Sequence, residues 1–291
     1  MTDGVLVVDK PAGMTSHDVV DHVRRAFRTR RVGHGGTLDP GATGVLIVGL
    51  GRATRLLSYT QMSYKAYRAV GRFGVTTSTQ DAAGDVIRRR PADLTPQELD
   101  TATNPFLGDI EQLPPMVSAV KVRGERLYKK ARRGEEIERK PRLVRITHFR
   151  LVDFTMSLEP EATFEIGCSS GTYVRTLIHD LGESLGCGAH LRALRRTYAG
   201  GFTDGDAVPL AQIERSHLRP MLDAVKFLGQ VHVDRETAQL VRNGRKLDLA
   251  KLNGADVPPD GLLVAIVHAG ELLGVYERKK NHLVAERVIP E

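Results

Sequence analysis

The sequence predicts a mixed α+β fold, with a large N-terminal domain followed by a small, mainly β C-terminal domain. Helical and strand patterns succeed one another along the 291 residues without the regular alternation of a parallel α/β sheet. The hydrophobic content of 41% is sufficient for a substantial core, and the pattern changes beyond Pro209. We therefore place the large domain at residues 1–225 and the small one at residues 231–291, with an irregular segment over residues 209–230.

Apolar runs and capping residues predict the elements of the first third of the chain. Residues 5–8 form a short apolar run that is typical of a buried strand. Apolar residues then recur at helical spacing as far as Phe27, behind Thr15 or Ser16 as the cap. The elements predicted next are an apolar strand at residues 44–51, a short helix at 53–62 and a half-exposed strand at 64–74.

The rest of the chain contains one clear helix start. Thr95 and Glu98 have the spacing of a capping box, with Pro96 at the first helical position, so a helix is expected as far as residue 103. The further predicted strands are residues 117–122, 143–154, 163–168, 262–267 and 272–278, and the further helices are residues 125–133, 172–185 and 236–242. Residues 269–271 are expected to join the last two strands as a hairpin.

Positive charge is concentrated in one segment. The whole chain has a formal net charge of +7, and residues 121–150 alone contain twelve Lys or Arg against four Glu. The rest of the chain is therefore close to neutral, whereas a solvated helix face usually has acids interleaved in similar numbers. Such clustering favours a polyanionic partner. The expected contacts to a nucleic-acid backbone are Lys129, Lys130, Arg132 and Arg133.

Cysteine usage and the N-terminus exclude several classes of protein. Only Cys168 and Cys187 occur, which fits a reducing compartment better than a disulfide-stabilised secreted protein. Cys187 and His190 have no second pair at ligand spacing, so no metal site is expected. The N-terminus lacks a basic region followed by a long apolar stretch, and no run reaches membrane-spanning length. We therefore expect a cytoplasmic protein that does not associate with membranes.

The segment GHGGTLDPGATG, residues 33–44, holds one carboxylate in a constrained loop. Its glycines permit backbone angles that a Cβ atom disfavours, and Pro40 restricts Asp39 toward extended conformations. Asp39 is therefore a candidate for chemistry that needs a carboxylate at a fixed position. The alternative is a tight turn between strands in which Asp39 only caps backbone N–H groups.

A second loop, residues 167–175, brings Tyr173 and Arg175 to the start of a predicted helix. An arginine placed against Asp39 is expected to orient the carboxylate and to lower its pKa, which keeps it ionised. The alternative is that Arg175 binds phosphate or caps a helix. Residues 49–54 lack the third glycine of a dinucleotide fingerprint, and the sequence has no Walker-type loop or nucleophile elbow.

Four separated motifs within residues 5–197 carry a family resemblance. They are VVDKPAGMTSHDVV near the N-terminus, the loop GHGGTLDPGATG, the strand KAYR at residues 65–68, and CSSGTYVRTLIHDLGESLGCGAHLRALRR at residues 168–196. In this order they resemble the TruB family of pseudouridine synthases, whose bacterial members modify uridine 55 of tRNA. Gly41 is a departure, because relatives more often have an apolar residue after the Asp-Pro pair.

The resemblance implies a fold and a reaction. The fold is that of pseudouridine synthases, a mixed and largely antiparallel sheet flanked by helices, with a short PUA-like RNA-binding domain at residues 231–291. In the implied reaction, a uridine in the T loop of tRNA is isomerised without a cofactor or a metal. Asp39 is the implied catalytic carboxylate, whether it attacks the sugar or the base or removes the C2′ proton, and Arg175 is implied to pair with it.

The resemblance also assigns residues to the substrate. Tyr67 is implied to stack on the target base and to help remove the C5 proton, which an ordinary phenol of pKa about 10 does poorly without help from its surroundings. His34 is implied to pack against the nucleotides displaced when the base is flipped out. The implied lining of the uracil pocket is Tyr173 and Leu194.

The basic segment at residues 121–150 resembles the RNA-gripping insertion of the family, whose cations position the RNA with little sequence choice. The expected partner is the T-arm stem-loop of tRNA, with no obligatory protein partner, and the chain is expected to be a monomer. Two alternatives stay open. One is a module that folds tRNA, and the other is a pseudouridine synthase of the same fold that acts on another RNA.

Overall fold

The computed structural model describes residues 2–116, 121–122, 125–126, 139–252 and 258–290. The α-helices in these residues are α1 (Ser16–Ala26), α2 (Leu57–Met62), α3 (Pro96–Ala102), α4 (Val174–Ser184) and α5 (Arg235–Arg242). The strands of the first half are β1 (Gly4–Lys10), β2 (Val32–His34), β3 (Thr43–Leu50), β4 (Lys65–Phe73), β5 (Val75–Thr77), β6 (Val86–Arg89), β7 (Gly108–Gln112), β8 (Lys121–Val122) and β9 (Glu125–Arg126). Those of the second half are β10 (Arg142–Thr155), β11 (Glu161–Cys168), β12 (Ala189–Ala199), β13 (Phe202–Thr203), β14 (Val208–Pro209), β15 (Gly229–His232), β16 (Leu247–Asp248), β17 (Leu263–His268), β18 (Glu271–Lys279) and β19 (His282–Val288).

Ten of the described strands form one mixed sheet. Its order is β14-β1-β3-β12-β4-β11-β10-β7, with β2 paired to β3 and β13 paired to β12. The pairings of β1 with β14 and of β3 with β12 are parallel, and the other pairings in this sheet are antiparallel. The predicted mixed, largely antiparallel fold is therefore confirmed. Because β12 lies between β3 and β4, it joins the strand after the glycine-rich loop to the strand that contains Tyr67.

Two helices are fixed on this sheet by their apolar faces. Thr15 is the N-cap of α1 and forms a capping box with Asp18, and the helix buries Val19 and Val23. On the other half of the sheet, α4 packs so closely that a Cβ on Gly71 would lie 2.9 Å from Ile178 Cγ2. A side chain at position 71 would therefore displace α4, the helix that contains Arg175. Within the described part of the chain, no helix has the length and apolarity needed to cross a membrane.

The C-terminal residues form a second sheet of mainly β structure. Its order is β15-β17-β18-β19-β16, and α5 buries Ala238 and Val241 against it. Ala269 and Gly270 form the two-residue turn between β17 and β18, both with positive φ, as a tight hairpin requires. The hairpin predicted from these residues is therefore confirmed.

The two sheets share a hydrophobic core. Leu272 and Val275 of β18 are buried in one cluster with Val5 of β1 and Val45 of β3. The irregular segment predicted at residues 209–230 contains three 3₁₀ turns, and it adds the fully buried Ala224 and Val225 to the same cluster. This segment is therefore part of the core that joins the two sheets.

Polar contacts reinforce this junction between the two sheets. Arg52 pairs with Asp3 through Nε, 2.7 Å from Oδ2, and donates from Nη1 to the main-chain oxygen of Pro290 over 2.5 Å. Tyr59 of α2 donates to the carboxylate of Glu286 on β19. Residues near both ends of the chain, together with α2, therefore contribute to the junction between the two sheets.

Two segments differ from the sequence prediction. The helix predicted at residues 125–133 is wrong at its start, because Glu125–Arg126 is a strand that pairs antiparallel with Lys121–Val122. Residues 127–133 lie outside the described residues. The central strand β12 was not predicted. It contains the buried polar residues His190 and Arg196, and bulges interrupt its pairing with β4, so it lacks the regular apolar alternation of a strand.

Candidate active site

The glycine-rich loop between β2 and β3 is held closely at both of its ends. Gly44 has a φ of +97°, and a Cβ there would overlap the main-chain oxygen of Arg196 on β12. A Cβ on Gly35 would overlap Thr60 Oγ1 of α2. At Gly41, by contrast, no described atom lies within 4 Å of the Cβ position. The two ends of the loop are therefore packed tightly against neighbouring elements, whereas the turn that follows Asp39 has free space beside it.

Two buried polar side chains hold the peptide groups on either side of Asp39. Lys10 Nζ donates to the main-chain oxygen of Pro40 over 3.1 Å. The N–H of Leu38 donates to Ser16 Oγ over 2.9 Å. Neither side chain was expected at the site from the sequence, although both belong to the N-terminal motif. Together they fix the backbone from which the Asp39 carboxylate projects.

Arg175, in the first turn of α4, forms an ion pair with Asp39. Its Nε lies 2.9 Å from Asp39 Oδ2, and the side chain of Arg175 is 4% exposed whereas that of Asp39 is 43% exposed. A buried guanidinium thus fixes a carboxylate that still opens to solvent. The structure brings together the two residues that the sequence had suggested for this role.

The pKa of Asp39 differs from the expectation. Burial raises the pKa of this carboxyl group, and the Arg175 charge opposes the rise without cancelling it. The predicted net lowering is therefore wrong. The reason is that the loop removes the carboxylate from part of its water, and this desolvation outweighs the attraction of the guanidinium.

A second carboxylate, Asp81, binds the other side of Arg175. Arg175 Nη1 lies 3.2 Å from Asp81 Oδ2. Asp81 lies between β5 and β6 in a turn that backbone hydrogen bonds tie to Leu191 of β12, and Thr176 Oγ1 donates to Gln80 Oε1 over 2.8 Å. Asp81 was not predicted as a site residue, because a polar turn with no apolar periodicity gives no signal in the sequence that it packs against α4.

Tyr67 lies in the core beside this loop. Its side chain is 8% exposed and belongs to the same hydrophobic cluster as Leu38 and Ala42, which lie on either side of the Asp39 turn. Burial raises the pKa of the phenol, and the neighbouring Arg196 acts in the opposite direction. The Tyr67 ring thus packs beside the loop that contains the carboxylate. Its phenol is also a titratable group in apolar surroundings.

The other predicted substrate contacts lie on elements that meet at this site. His34 ends β2, opposite Val48 of β3, just before the glycine-rich loop. Tyr173 precedes α4, and the Gln112 amide pairs with its backbone, with 2.7 Å to its N–H and 3.0 Å to its carbonyl oxygen. Leu194 of β12 packs at the edge of the cluster that contains Tyr67. Each side chain is therefore attached to the framework that positions Asp39 or Arg175.

The basic segment divides into two parts. Lys129, Lys130, Arg132 and Arg133 lie outside the described residues. Residues 142–150 of the predicted insertion belong to β10 in the large sheet, where Arg150 pairs with Glu165 over 2.5 Å. In the described part of the chain, no group of three or more His, Cys, Asp or Glu side chains is arranged to hold a metal ion.

The arrangement supports carboxylate chemistry on a planar ligand. Asp39 is fixed in position by Arg175 and by its own backbone, and it is accessible from solvent. An aromatic side chain, Tyr67, lies in the adjoining core, so a flat ring can be held close to the carboxylate. In such a place a carboxylate acts as a nucleophile or as a general base.

Comparisons with protein families match most of the large domain. Residues 24–174 match the model "TruB family pseudouridylate synthase (N terminal domain)". Residues 175–226 match "tRNA pseudouridylate synthase B C-terminal domain". The chain is 45% identical over 276 residues to a protein of Thermobifida fusca named tRNA pseudouridine synthase B, covering 91% of this chain and 94% of that protein. It is 50% identical over 245 residues to the protein of the same name from Symbiobacterium thermophilum, covering 83% and 82%.

Solved structures with the same architecture also exist. A chain from an H/ACA RNP bound to a substrate RNA containing 2′-deoxyuridine has a TM-score of 0.76 and 25% identity, covering 99% of this chain and 85% of that one. A chain from a Cbf5-Nop10-Gar1 complex has a TM-score of 0.76 and 28% identity, covering 99% and 84%. The similarity therefore extends over both sheets.

Proposed function

Because the chain belongs to the TruB family of pseudouridylate synthases, we propose that it isomerises a uridine of tRNA to pseudouridine, with uridine 55 of the T loop as the target. One observation carries this proposal: Arg175 Nε lies 2.9 Å from Asp39 Oδ2. A carboxylate that only capped a turn would not need a buried arginine from a distant helix. The pair instead suits a carboxylate that must keep one orientation while a substrate approaches.

The proposed reaction exchanges one bond to the sugar for another. The N1–C1′ bond breaks, the uracil turns within the site, and C5 bonds to C1′. The C5 proton then leaves and N1 takes up a proton, so nothing is oxidised or reduced. Asp39 either attacks the sugar or the base, or removes the C2′ proton, and Arg175 orients it in each of these routes.

The target base must leave the stacked T loop before Asp39 reaches it, at a cost of a few kcal/mol. In our proposal His34, at the entrance of the loop, packs against the nucleotides displaced by this movement. Tyr67 stacks on the everted uracil, and Tyr173 and Leu194 line the sides of the pocket. The glycines of the loop matter here because a nucleotide has to approach the backbone closely.

Electrostatic contacts hold the RNA in this proposal. Lys129, Lys130, Arg132 and Arg133 neutralise phosphates of the T arm, which positions the RNA without selecting its sequence. The C-terminal sheet acts as a PUA-like RNA-binding domain. We propose that the enzyme works as a monomer without an obligatory protein partner.

The Asp39→Asn variant tests the catalytic assignment. The amide keeps the size of the side chain but can act neither as nucleophile nor as base, so we expect turnover to be abolished. Turnover is measured as tritium release from 5-tritiated uridine in a T-arm stem-loop, and affinity for the same RNA should stay within a few fold. Asp153→Asn, at an exposed position on β10, is the matched control and should turn over normally. Retained turnover in Asp39→Asn would remove Asp39 from the chemistry.

The two alternatives have distinct results. A tRNA-folding module predicts that Asp39→Asn still accelerates refolding of unmodified tRNA. A synthase for another RNA predicts that pseudouridine mapping of total RNA treated with the enzyme finds the new site outside the T loop. Mapping at position 55 of tRNA supports the proposed target.

The salt dependence of binding tests the basic segment. Replacing Lys129, Lys130, Arg132 and Arg133 by Ala removes four cations, so the slope of log affinity against log salt should fall by about three to four. The control exchanges Lys and Arg at the same four positions, which keeps the charge and should keep the slope. An unchanged slope in the Ala variant would mean that this segment is a solvated face.

A further inference from the structure

Arg196 is a fully buried arginine between the glycine-rich loop and Tyr67. Its side chain is among the largest in the protein with less than 2% exposure. Nε donates to the main-chain oxygen of Val45 over 2.7 Å, and Nη2 donates to that of Gly36 over 3.2 Å. Among the described residues, no carboxylate forms an ion pair with it. Its hydrogen bonds thus fix the position of the guanidinium while its charge is left without a direct counterion.

The loop and Arg196 cannot move independently. The main chain of Arg196 lies so close to Gly44 that a Cβ there would overlap its carbonyl oxygen. The side chain reaches back to Gly36 and Thr37 near the other end of the loop. One residue of β12 therefore holds both ends of the loop that contains Asp39.

Tyr67 lies directly opposite Arg196 in the sheet. The two residues are register partners on neighbouring strands β4 and β12, so their buried side chains lie on the same face of the sheet. The charge of Arg196 acts to lower the pKa of the Tyr67 phenol. Among the described residues, the other titratable groups whose charges act on the pKa of Tyr67 are Cys168 from β11 and Asp39 from the loop. Burial raises the pKa of the Cys168 thiol to about 11, so this group is neutral at physiological pH. Within the part of the chain that the structure describes, Arg196 is therefore the cation that acts on the Tyr67 phenol.

We propose that Arg196 is a positioning residue: fixed on carbonyls of the glycine-rich loop, it directs its charge at the Tyr67 phenol oxygen and stabilises the ionised form of that side chain. This prepares Tyr67 to accept the C5 proton of the uracil, a consequence that rests on the proposed function. The physical basis is that a buried phenol resists ionisation when no cation lies beside it. Arginine suits the position because its planar fork can bind several oxygens at once and stays charged when buried.

The proton balance of the step is simple. Tyr67 first releases its proton to solvent. The phenolate then takes the C5 proton and becomes a phenol. The electron pair of the C5–H bond restores the C5–C6 double bond, and the pair of the N1–C6 double bond returns to N1, which takes up a proton. No oxidant, reductant or additional reactant is needed.

The test measures the titration of Tyr67 without using activity. The protein is labelled with 3-fluorotyrosine, its fluorine NMR signals are followed against pH, and Tyr67→Phe assigns the signal. In Arg196→Gln the Tyr67 titration should move to higher pH by about one unit or more, because the cation is lost. Arg196→Lys keeps a charge but not the fork, so its titration should fall between the two.

The matched control is Arg195→Gln. Arg195 precedes Arg196 in the same strand, but its side chain pairs with Asp9 over 3.0 Å and with Asp204 over 3.4 Å at the surface. Removing this charge should leave the Tyr67 titration unchanged. If Arg196→Gln does not fold, Arg196→Lys decides the question by itself.

Two results would overturn the proposal. One is a Tyr67 titration in folded Arg196→Lys that matches the unmodified protein. The other is an Arg195→Gln shift as large as that of the Arg196 variants.

With the T-arm substrate, Arg196→Lys should also shift the pH profile of kcat to higher pH while KM stays within a few fold. The NMR result stands even if the substrate assignment fails, so the two failures can be told apart.

Discussion

Arg175 lies with its Nε 2.9 Å from Asp39 Oδ2, and the same buried guanidinium binds a second carboxylate, Asp81, through Nη1. The arginine is therefore held from two sides. Asp39 projects from the glycine-rich loop toward solvent, whereas Asp81 comes from a turn that is tied to β12. We infer that Asp81 fixes the direction in which Arg175 presents its Nε to Asp39.

The first prediction concerns this second carboxylate. Asp81→Asn keeps the shape of the side chain and removes its charge, so Arg175 loses one of the carboxylates that bind it in the described part of the chain. We expect kcat on the T-arm stem-loop to fall by about tenfold or more, which is about 1.4 kcal/mol of transition-state stabilisation. RNA affinity should stay within a few fold. The control is Asp85→Asn, at an exposed position just before β6; equal losses in both variants would contradict a specific role for Asp81.

The second prediction compares two glycines of one loop. Gly44→Ala forces a Cβ into the main chain of Arg196 at a φ of +97°, so it should destabilise the fold by about 2 kcal/mol or more. Gly41→Ala meets open space among the described residues, so its effect should stay within about 0.5 kcal/mol. Urea unfolding of both variants measures the difference. Equal stabilities would mean that Gly44 is not constrained in this way.

The third prediction is a pH dependence. Lys65 is 6% exposed, its Nζ donates to main-chain oxygens at the end of α2, and burial lowers its pKa from 10.5 to about 8. Between pH 8 and 10.5 the unfolded chain keeps this proton while the folded chain has lost it. Unfolding is then accompanied by uptake of a proton, so the contribution of Lys65 to the free energy of unfolding should rise with pH in this window, by at most about 1.4 kcal/mol per pH unit.

Lys65→Met checks the origin of this slope. The variant lacks the titrating amine, so wild-type stability should increase relative to that of the variant from pH 8 to 10.5, measured by urea unfolding at each pH. Lys246→Met removes an exposed lysine and serves as the control. A difference between wild type and Lys65→Met that stays constant with pH would refute the assignment.

The fourth prediction concerns the junction of the two sheets. Val275 of the C-terminal sheet is fully buried in a cluster with residues of β1 and β3, so the chain should unfold in a single transition. Val275→Ala should lower the stability of the whole chain by about 2 kcal/mol, visible as a shift of the one calorimetric peak. Leu262→Ala, at a position that is 53% exposed, should leave the peak in place. Two separate transitions would show that the sheets unfold independently.

Local signals explain which elements the sequence predicted. The starts of α1 and α3 were predicted from their N-caps, Thr15 and Thr95. Such caps can be recognised in a sequence because they depend only on residues within one turn. The turn at Ala269 and Gly270 is equally local. β12 was not predicted because its buried side chains include an arginine. That arginine can be buried only because it hydrogen-bonds main-chain oxygens of another part of the chain.

The mixed fold, the motif order of the family and the constrained loop around Asp39 can all be read from the amino-acid sequence. Three features are visible only in the folded chain: Asp81 shares Arg175, Arg196 is the register partner of Tyr67, and burial raises the pKa of Asp39. Separation along the chain accounts for the difference. Periodicity and capping act between neighbours in the chain, whereas desolvation and charge pairing depend on which distant segments fold against one another.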